Sequence, residues 1–183
     1  MFSISKDTPA YYITSVTNSR LPVFQTSRLK DLVCSAIDEV RTSANLLLFA
    51  YVIMPDHFHL LVGTSKKPSE ALRYVNGITS RRVINYLKEG GFDRSLQKLR
   101  RSEGERQHRY SLWDHHPNLK RITDESVFMQ KVHYIHQNPV RAGLVERAED
   151  YLWSSVRCWN KDPRENEPLL MDISSIKWKS RKA

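Results

Sequence analysis

Residues 46–62 read LLLFAYVIMPDHFHLLV and include the longest apolar run in the chain. The segments Leu46–Met54 and Phe58–Val62 are rich in aliphatic and aromatic residues and have the length of buried strands. Pro55 and Asp56, which lie between them, are suited to a tight turn. The stretch therefore predicts an antiparallel β-hairpin at the centre of a sheet.

Strands and helices are predicted on both sides of this hairpin. Tyr11–Thr17 is rich in aromatic and β-branched residues, which favours a first strand. A first helix follows, with Ser27 as its N-cap and apolar residues at helical spacing. After the hairpin a second helix is predicted, with Ser69 as its cap and with Gly90 and Gly91 at its end.

The second half of the chain predicts one more strand and one more helix. Ser111–Ile122 favours a strand, which Pro117 restricts to an edge or an irregular path. A third helix opens at Asp124, whose carboxylate complements the positive helix end, and Asn138 closes it before Pro139. The order strand, helix, strand, strand, helix, strand, helix predicts an α+β sandwich with an antiparallel sheet. The ferredoxin-like fold is the closest architecture.

The length of 183 residues favours one domain with a peripheral tail. We expect the domain to comprise residues 1–159. Residues 160–183 are polar and end in several basic residues, which predicts a loosely attached basic tail. Cys34 and Cys158 lie far apart in the sequence, so they predict neither a disulfide framework nor a cysteine metal site.

The charge balance indicates a polyanionic partner. Lys and Arg number 29 against 20 Asp and Glu, which gives a formal net charge of +9. Such a balance suits nucleic acid or an acidic membrane face. The longest apolar run is well short of the roughly 20 residues that a membrane-spanning helix needs. Residues 1–7 lack the pattern of a secretory signal, so we expect a cytoplasmic protein with no membrane partner.

His57 and His59 are the first candidate functional residues, and Phe58 separates them. Alternate residues on a strand project from the same face, so the two imidazoles are expected side by side. Two neutral imidazoles can bind one divalent cation and leave positions open for substrate oxygens, which suits phosphodiester chemistry. The alternative is a pair of histidines that only decorates a half-buried strand. No spacing defines a closed metal site among the other nearby histidines, His115, His116, His133 and His136.

Tyr134 and Asn138 form a second candidate group, because positions i and i+4 of a helix are neighbours on one face. A tyrosine hydroxyl near a cation loses its proton more readily than one in water, and can then attack phosphorus. Asn138 offers a side-chain oxygen as a third metal ligand, although helix termination before Pro139 explains it equally well. The alternative for Tyr134 is a boundary aromatic residue with its hydroxyl in solvent.

Two segments of the chain resemble a known family. Residues 51–62, YVIMPDHFHLLV, look like the HUH signature of REP-associated tyrosine transposases, relatives of the single-tyrosine transposases of insertion sequences. Residues 134–145, YIHQNPVRAGLV, are similar to that family's catalytic-helix signature, and Trp153–Ser155 resembles the motif that follows it. The resemblance extends over most of residues 10–160 and implies the HUH transposase version of the ferredoxin-like fold.

The resemblance also implies roles for these residues. His57 and His59 would bind Mg²⁺ or Mn²⁺, and Tyr134 would attack a DNA phosphate to form a 5′-phosphotyrosine link with a free 3′-hydroxyl. Asn138 stands where relatives have a glutamine ligand. The preference for a hard cation comes from the family, since imidazoles also suit zinc, iron and copper. The implied substrate is single-stranded DNA near a hairpin such as a REP element, and the oligomeric state, monomer or homodimer, is left open.

A set of basic residues is predicted to bind DNA phosphates, which would make binding fall steeply with salt. The alternative for this set is a solvated basic face. Its members are Arg73, Arg81, Arg82, Arg94, Lys98, Arg100, Arg101 and Arg109. Tyr110 and Trp113 are candidates for stacking on unpaired bases, although a tryptophan such as Trp113 is more often a core anchor.

Two rival functions use the same residues differently. A metal-dependent nuclease would attack with water and leave no protein-linked product, but no nearby Asp or Glu pair supports it. A non-catalytic binder of structured DNA or RNA would keep the fold and use the basic face. The intact His57, His59 and Tyr134 argue against such a degenerate, non-catalytic binder.

Overall fold

A computed structural model of the chain describes residues 1–100, 109–114 and 118–178. Its helices and strands are, in order, β1 (Phe2–Ile4), β2 (Ala10–Val16), α1 (Ser27–Ala44), β3 (Leu47–Ile53), β4 (His57–Gly63), α2 (Pro68–Glu89), α3 (Asp93–Lys98), β5 (Asn118–Ile122), α4 (Glu125–Arg141), α5 (Val156–Trp159) and β6 (Ile176–Trp178). Within these ranges no helix is both long enough and apolar enough to cross a membrane.

Four strands form one antiparallel sheet in the spatial order β3, β4, β2, β5. The predicted hairpin is present as β3 and β4, with Ile53 opposite Phe58. Its turn is closed by a hydrogen bond from the Met54 N–H to the His57 carbonyl. β2 pairs with β4 on one side and with the edge strand β5 on the other. The predicted α+β fold with a ferredoxin-like sheet order is confirmed.

The sheet separates two apolar cores because its side chains alternate between the faces. Phe58, Leu60 and Val62 of β4 join one core with buried residues of α1 and α2. Leu61 of β4 joins the other core, where Phe128 and two further apolar residues of α4 cover the opposite face. The helices therefore lie on both faces, with α4 on the side to which the odd-numbered residues of β4 point.

The predicted helix ends need three corrections. Thr26, rather than Ser27, caps α1, since its side chain accepts a hydrogen bond from the Leu29 N–H. α2 begins at Pro68, so Ser69 lies inside its first turn. Proline suits that position because the first N–H groups of a helix have no partner within it. Asn138 does not close α4, which continues through Pro139.

The last turn of α4 tolerates Pro139 because the helix ends soon afterwards. A proline removes one N–H donor and crowds the carbonyl four residues earlier, which costs most in the middle of a long helix. Here the helix ends at Arg141, and Gly143 follows with a φ of 67°. The Leu144 N–H then donates to the Pro139 carbonyl and closes the end. Such a left-handed glycine is a common helix stop.

The described part of the C-terminal segment, residues 160–178, is attached to the domain, so the prediction of a loose tail is wrong for it. Asp172 accepts a hydrogen bond from the Leu48 N–H and pairs with Arg41. β6 pairs in parallel with β1. The Trp178 ring lies 5.1 Å from that of Phe128. The terminal basic residues Lys179, Arg181 and Lys182 lie outside the described residues.

A buried ion pair fastens this segment. The Arg157 and Glu167 side chains are 4% and 7% exposed, with Nε and Oε1 2.6 Å apart. Burial by itself raises the pKa of Glu167, but hydrogen bonds from Arg157 and from the Arg164 N–H outweigh it and lower the pKa. The guanidinium also donates to backbone carbonyls between residues 149 and 154. It therefore holds together two separate loops.

Replacing Glu167 with alanine should lower the free energy of unfolding by about 3–5 kcal/mol, because it leaves a buried arginine without its counter-charge. Urea denaturation measures the change. Glu165→Ala removes an exposed carboxylate two residues away and should stay within about 0.5 kcal/mol of wild type. Equal effects of the two substitutions would contradict a stabilising role of the ion pair.

Candidate active site

His57 and His59 stand side by side on the face of the sheet that α4 covers. Their ring centroids are 4.9 Å apart and the rings are nearly perpendicular. The adjacency follows from the alternation of side chains along β4. His59 is buried and His57 is partly exposed, so the pair lies where the core meets solvent.

Both imidazoles are oriented through Nδ1. The Nδ1 of His57 lies 2.6 Å from Oδ1 of Asp56. The Nδ1 of His59 lies 2.8 Å from the Tyr12 hydroxyl and 2.8 Å from Oγ1 of Thr14. Among the described residues, neither Nε2 has a hydrogen-bond partner. Partners at Nδ1 fix a ring while Nε2 keeps a free lone pair, which is how metal-binding histidines are commonly held.

His59 is a neutral imidazole at ordinary pH. Burial is the largest cause, and together with the nearby charges of His57 and Lys131 it lowers the pKa of His59 to about 3. A neutral ring is the form that binds a cation, since protonation occupies the lone pair. The neutral state of His59 therefore suits metal binding.

Tyr134 extends from α4 to the histidine pair. Its ring centroid lies 5.5 Å from that of His59, with the rings nearly perpendicular. It also lies 6.4 Å from the ring of Tyr12, which itself contacts His59. The side chain is partly exposed. A phenol and two imidazoles from distant parts of the sequence thus meet at one edge of the core.

Two cations flank the Tyr134 ring. The Lys131 ammonium lies 5.2 Å from its centroid and 4.8 Å from that of Tyr12. The Arg141 guanidinium lies 5.1 Å from the Tyr134 centroid. Partial burial and the charge of Lys120 lower the pKa of Lys131. Sequence reasoning assigned no role to either cation, although both lie on the helical face of Tyr134, one turn before it and two turns after it.

Asn138 lies one helical turn after Tyr134, and its side-chain Nδ2 is buried without a hydrogen-bond partner among the described residues. Leaving a buried polar atom unpaired costs about 1–3 kcal/mol. Rotation of the amide by half a turn exchanges its nitrogen and oxygen, so the same place can hold an acceptor. An amide turned in this way would have an oxygen without a hydrogen-bond donor among the described residues, and such an oxygen is available to a cation.

Among the described residues, no third His, Cys, Asp or Glu ligand accompanies the two histidines. In the described ranges, no three His, Cys, Asp or Glu side chains are grouped so that they could hold a metal ion. His133 is exposed, and His115 and His116 lie outside the described residues. A cation here would therefore depend on the two imidazoles, on amide oxygen and on substrate or water. That open set of ligands is typical of catalytic rather than structural sites.

His136 supports the site from behind. Its Nε2 lies 2.9 Å from Oγ of Ser155, which accepts a hydrogen bond from the Tyr51 N–H on β3. Next to it, the Tyr151 hydroxyl donates to the Ile53 carbonyl. Burial, followed by the charge of His133, lowers the pKa of His136 to about 4. Residues 51–62 and residues 134–145, the two segments that carry the family resemblance, are thus joined by buried hydrogen bonds through Ser155. These bonds fix α4 against the sheet.

The predicted DNA-binding residues fall into separate places. Arg73, Arg81 and Arg109 line one groove of about 780 Å³ between α2 and residues 109–114. Arg81 and Arg82 both pair with Glu39 on α1. The remaining described members, Arg94, Lys98 and Arg100, are exposed within or just after α3 and do not line the groove. Arg101 lies outside the described residues.

Trp113 belongs to the core, which corrects its prediction as a base-stacking residue. Its side chain is 8% exposed and packs against Phe24 and Phe58, with centroid distances of 5.7 and 4.9 Å. Its Nε1 donates to the Asn76 carbonyl. Trp113 also lines the groove, but with 8% of the residue exposed it offers a base little ring surface. Tyr110 is half-buried and has Lys88 and Arg109 beside its ring.

The chain is similar to known transposases. A family model described as IS200-like transposases matches residues 6–138. A protein of Haemophilus influenzae, described as a REP-associated tyrosine transposase, is 28% identical over 148 residues, which are 79% of this chain and 78% of that protein. A solved structure of a REP-associated tyrosine transposase bound to a REP hairpin matches with a TM-score of 0.60 over 91% of this chain and 87% of that chain, at 16% identity. At that identity the structural likeness shows the fold alone.

Replacing His136 with glutamine should reduce the acid sensitivity of the protein. The unfolded ring binds a proton below its ordinary pKa of about 6.5, whereas the folded ring stays neutral to about pH 4. Between these values the unfolded state holds more protons, so the free energy of unfolding falls as the pH falls, by up to about 1.4 kcal/mol per pH unit for one ring. Urea denaturation from pH 7 to pH 4.5 measures this slope.

Glutamine at position 136 can still bond to Ser155 but does not titrate, so the slope should become shallower by roughly this amount. His133→Gln changes an exposed ring on the same helix and should leave the slope as in wild type. A His136→Gln variant with an unchanged slope would show that the buried ring takes up its proton in the ordinary range.

Proposed function

Because the chain belongs to the IS200-like transposase family, we propose that it cuts and rejoins single-stranded DNA through a covalent bond to Tyr134. The observation that carries this proposal is the 5.5 Å separation between the ring centroids of Tyr134 and His59. A phosphate that contacts a cation on the imidazoles is then within reach of the phenol. Proximity of this kind is a large part of what an enzyme contributes to a reaction between two groups.

The chemistry proceeds by exchange of one phosphoester for another. The Tyr134 oxygen forms a bond to phosphorus while the bond to the 3′ oxygen breaks. The phenol proton is lost to solvent, and the leaving 3′ oxygen takes up a proton from solvent to become a hydroxyl. The product is a 5′-phosphotyrosine link and a free 3′-hydroxyl. Because the phosphoester energy is kept, a 3′-hydroxyl can attack the link in reverse and rejoin DNA.

His57, His59 and Asn138 would hold Mg²⁺ or Mn²⁺. When bound, such an ion polarises a phosphate oxygen and stabilises the charge that develops on it. Asp56, Tyr12 and Thr14 keep the imidazoles in position through Nδ1. Imidazoles also suit zinc, iron and copper, so the choice of a hard cation follows from the family resemblance.

Lys131 and Arg141 add positive charge on the helix that carries the nucleophile. Both cations lie within 5.2 Å of the Tyr134 ring centroid. Attack on phosphorus concentrates negative charge on the phosphate oxygens, and positioned cations stabilise that charge in a site from which water is partly excluded. We assign them the binding of the phosphate that Tyr134 attacks.

The proposed substrate is single-stranded DNA beside a hairpin. The solved structure matched above holds a REP hairpin, and the present chain has the same fold and a formal net charge of +9. Contacts of basic residues with phosphates release counterions, so binding should weaken steeply with salt.

An assay of DNA cleavage on denaturing gels also tests the two rival functions, the water-using nuclease and the non-catalytic DNA-binding protein. Cleavage without a protein-linked product indicates a nuclease that uses water, and binding without cleavage indicates a DNA-binding protein.

Tyr134→Phe should abolish the covalent adduct and reduce cleavage of a labelled hairpin oligonucleotide by at least about a thousandfold, since the nucleophile is removed while the ring packing is kept. Denaturing gels with Mg²⁺ or Mn²⁺ resolve the adduct from free DNA. Tyr86→Phe makes the same chemical change at a ring that packs against Phe92, and it should cut as wild type does. Full activity of Tyr134→Phe would rule out Tyr134 as the nucleophile.

The metal assignment has its own test. His57→Ala should weaken Mn²⁺ binding below detection in isothermal titration calorimetry, and EDTA should stop cleavage. Asn138→Ala should weaken binding by about tenfold or more if the amide is a ligand. His133→Ala serves as the control, because that ring is exposed. Unchanged binding in Asn138→Ala would remove Asn138 from the ligand set, and unchanged binding in His57→Ala would refute the site.

A further inference from the structure

Gly77 lies in the interior of α2, where the described residues give no reason for a glycine. The residue is exposed. A Cβ built on it meets no heavy atom of the described residues within 4 Å. Glycine weakens the interior of a helix relative to alanine because it loses more backbone entropy on folding. A side chain at this position would therefore favour the helix and clash with nothing in the described chain.

The surface above Gly77 is the groove of about 780 Å³ between α2 and residues 109–114. Pockets that enclose a small ligand measure roughly 300–1,000 Å³. A space of this size has room for one or two nucleotides of a single strand. A flat helix surface at its floor lets a ligand approach the backbone closely.

The lining of the groove suits the chemistry of a nucleic-acid strand. Its cations are Arg73, Arg81, Lys88 and Arg109, and the Tyr110 ring and the amides of Asn76 and Asn85 lie between them. Arg81 is paired with Glu39, so the other three cations are the better phosphate ligands. Asp114 is the acidic member of the lining.

One residue of the groove lining lies close to the histidines. The Asp114 N–H donates to the Val16 carbonyl at the end of β2. Val16 lies opposite His57 in the pairing of β2 with β4. The groove lies on the α2 side of the sheet and the histidines on the α4 side, but both reach the same end of these strands. A strand that leaves the groove at Asp114 therefore arrives beside the candidate active site.

We propose that this groove binds a single-stranded segment of the DNA substrate away from the cleaved bond, with a sugar or base against Gly77 and phosphates on Arg73, Lys88 and Arg109. The inference rests on the proposed function for the identity of the substrate. It adds a second binding site, which selects DNA by the strand beside the reacting phosphate.

Gly77→Leu should raise the Kd for a fluorescent hairpin oligonucleotide with single-stranded flanks by about tenfold or more, because the side chain fills the floor of the groove. Fluorescence anisotropy measures binding without cleavage. Gly77→Ala should raise the melting temperature by about 2–4 °C while weakening binding, since alanine favours the helix. A Gly77→Ala variant that is more stable but binds DNA more weakly would show that DNA occupies the groove, because damage to the fold would lower both stability and binding.

Ser35→Leu is the matched control, because it adds the same side chain at an exposed position inside α1, outside the groove. Lys88→Gln should reduce by about one the slope of log affinity against log salt, as expected for one lost phosphate contact. Arg28→Gln removes an exposed positive charge outside the groove and should leave that slope unchanged. If Gly77→Leu melts early, Gly77→Ala and Lys88→Gln decide the question.

Two results separate this inference from the proposed function. If wild type forms the Tyr134 adduct and the Gly77 and Lys88 variants bind DNA as wild type does, the groove inference is overturned and the proposed function stands. If wild type binds DNA without cutting it and these variants bind weakly, the groove inference stands and the proposed function fails. Absence of any DNA binding by wild type overturns both.

Discussion

The alternation of side chains along β4 is the constraint on which the rest of the molecule depends. β4 is a central strand with a helical layer on each face, so each residue is committed to one core or the other. Phe58 and Leu60 enter the core of α1 and α2. His57 and His59 are thereby directed to the face of α4. A shift of one residue in the pairing would exchange these sets, burying two imidazoles in an apolar core at a large desolvation cost.

The candidate site also depends on the position of α4 relative to the sheet. Hydrogen bonds define this position more narrowly than apolar packing does. Apolar contacts tolerate small displacements, whereas a buried donor and acceptor that separate cost the full desolvation of both. Ser155 joins His136 of α4 to the Tyr51 N–H of β3. Arg157 fixes the loop that precedes Ser155 by donating to its carbonyls. The C-terminal segment thus acts on the site through Glu167, although it contains none of the candidate catalytic residues.

The features that sequence could predict were those with local causes. The hairpin, the shared face of the histidines and the order of strands and helices follow from periodicity and turn chemistry, and the structure has all of them. The helix ends were predicted only approximately, and two larger errors have non-local causes. Trp113 resembles a stacking residue until Phe24 and Phe58 are seen to cover it, and the attachment of residues 160–178 depends on partners far away in the sequence. Lys131 and Arg141 could have been predicted from the sequence, because helical periodicity places both positive charges on the same face of α4 as Tyr134.

Residues that a fold alone would not select are the strongest guide to function in this chain. Asn138 has a buried amide nitrogen without a hydrogen-bond partner among the described residues. Lys131 has a partly buried ammonium beside two phenol rings. Gly77 lowers the stability of α2 at an exposed position where a side chain would meet no described atom. The buried Tyr51 hydroxyl is also without a described partner, so one such atom is weak evidence by itself. The first two differ from Tyr51 because each lies within one helical turn of Tyr134, and Gly77 differs because basic side chains surround it. Residues that lower the stability of the fold beside groups able to bind a phosphate or a cation are expected where selection acts on function rather than on stability.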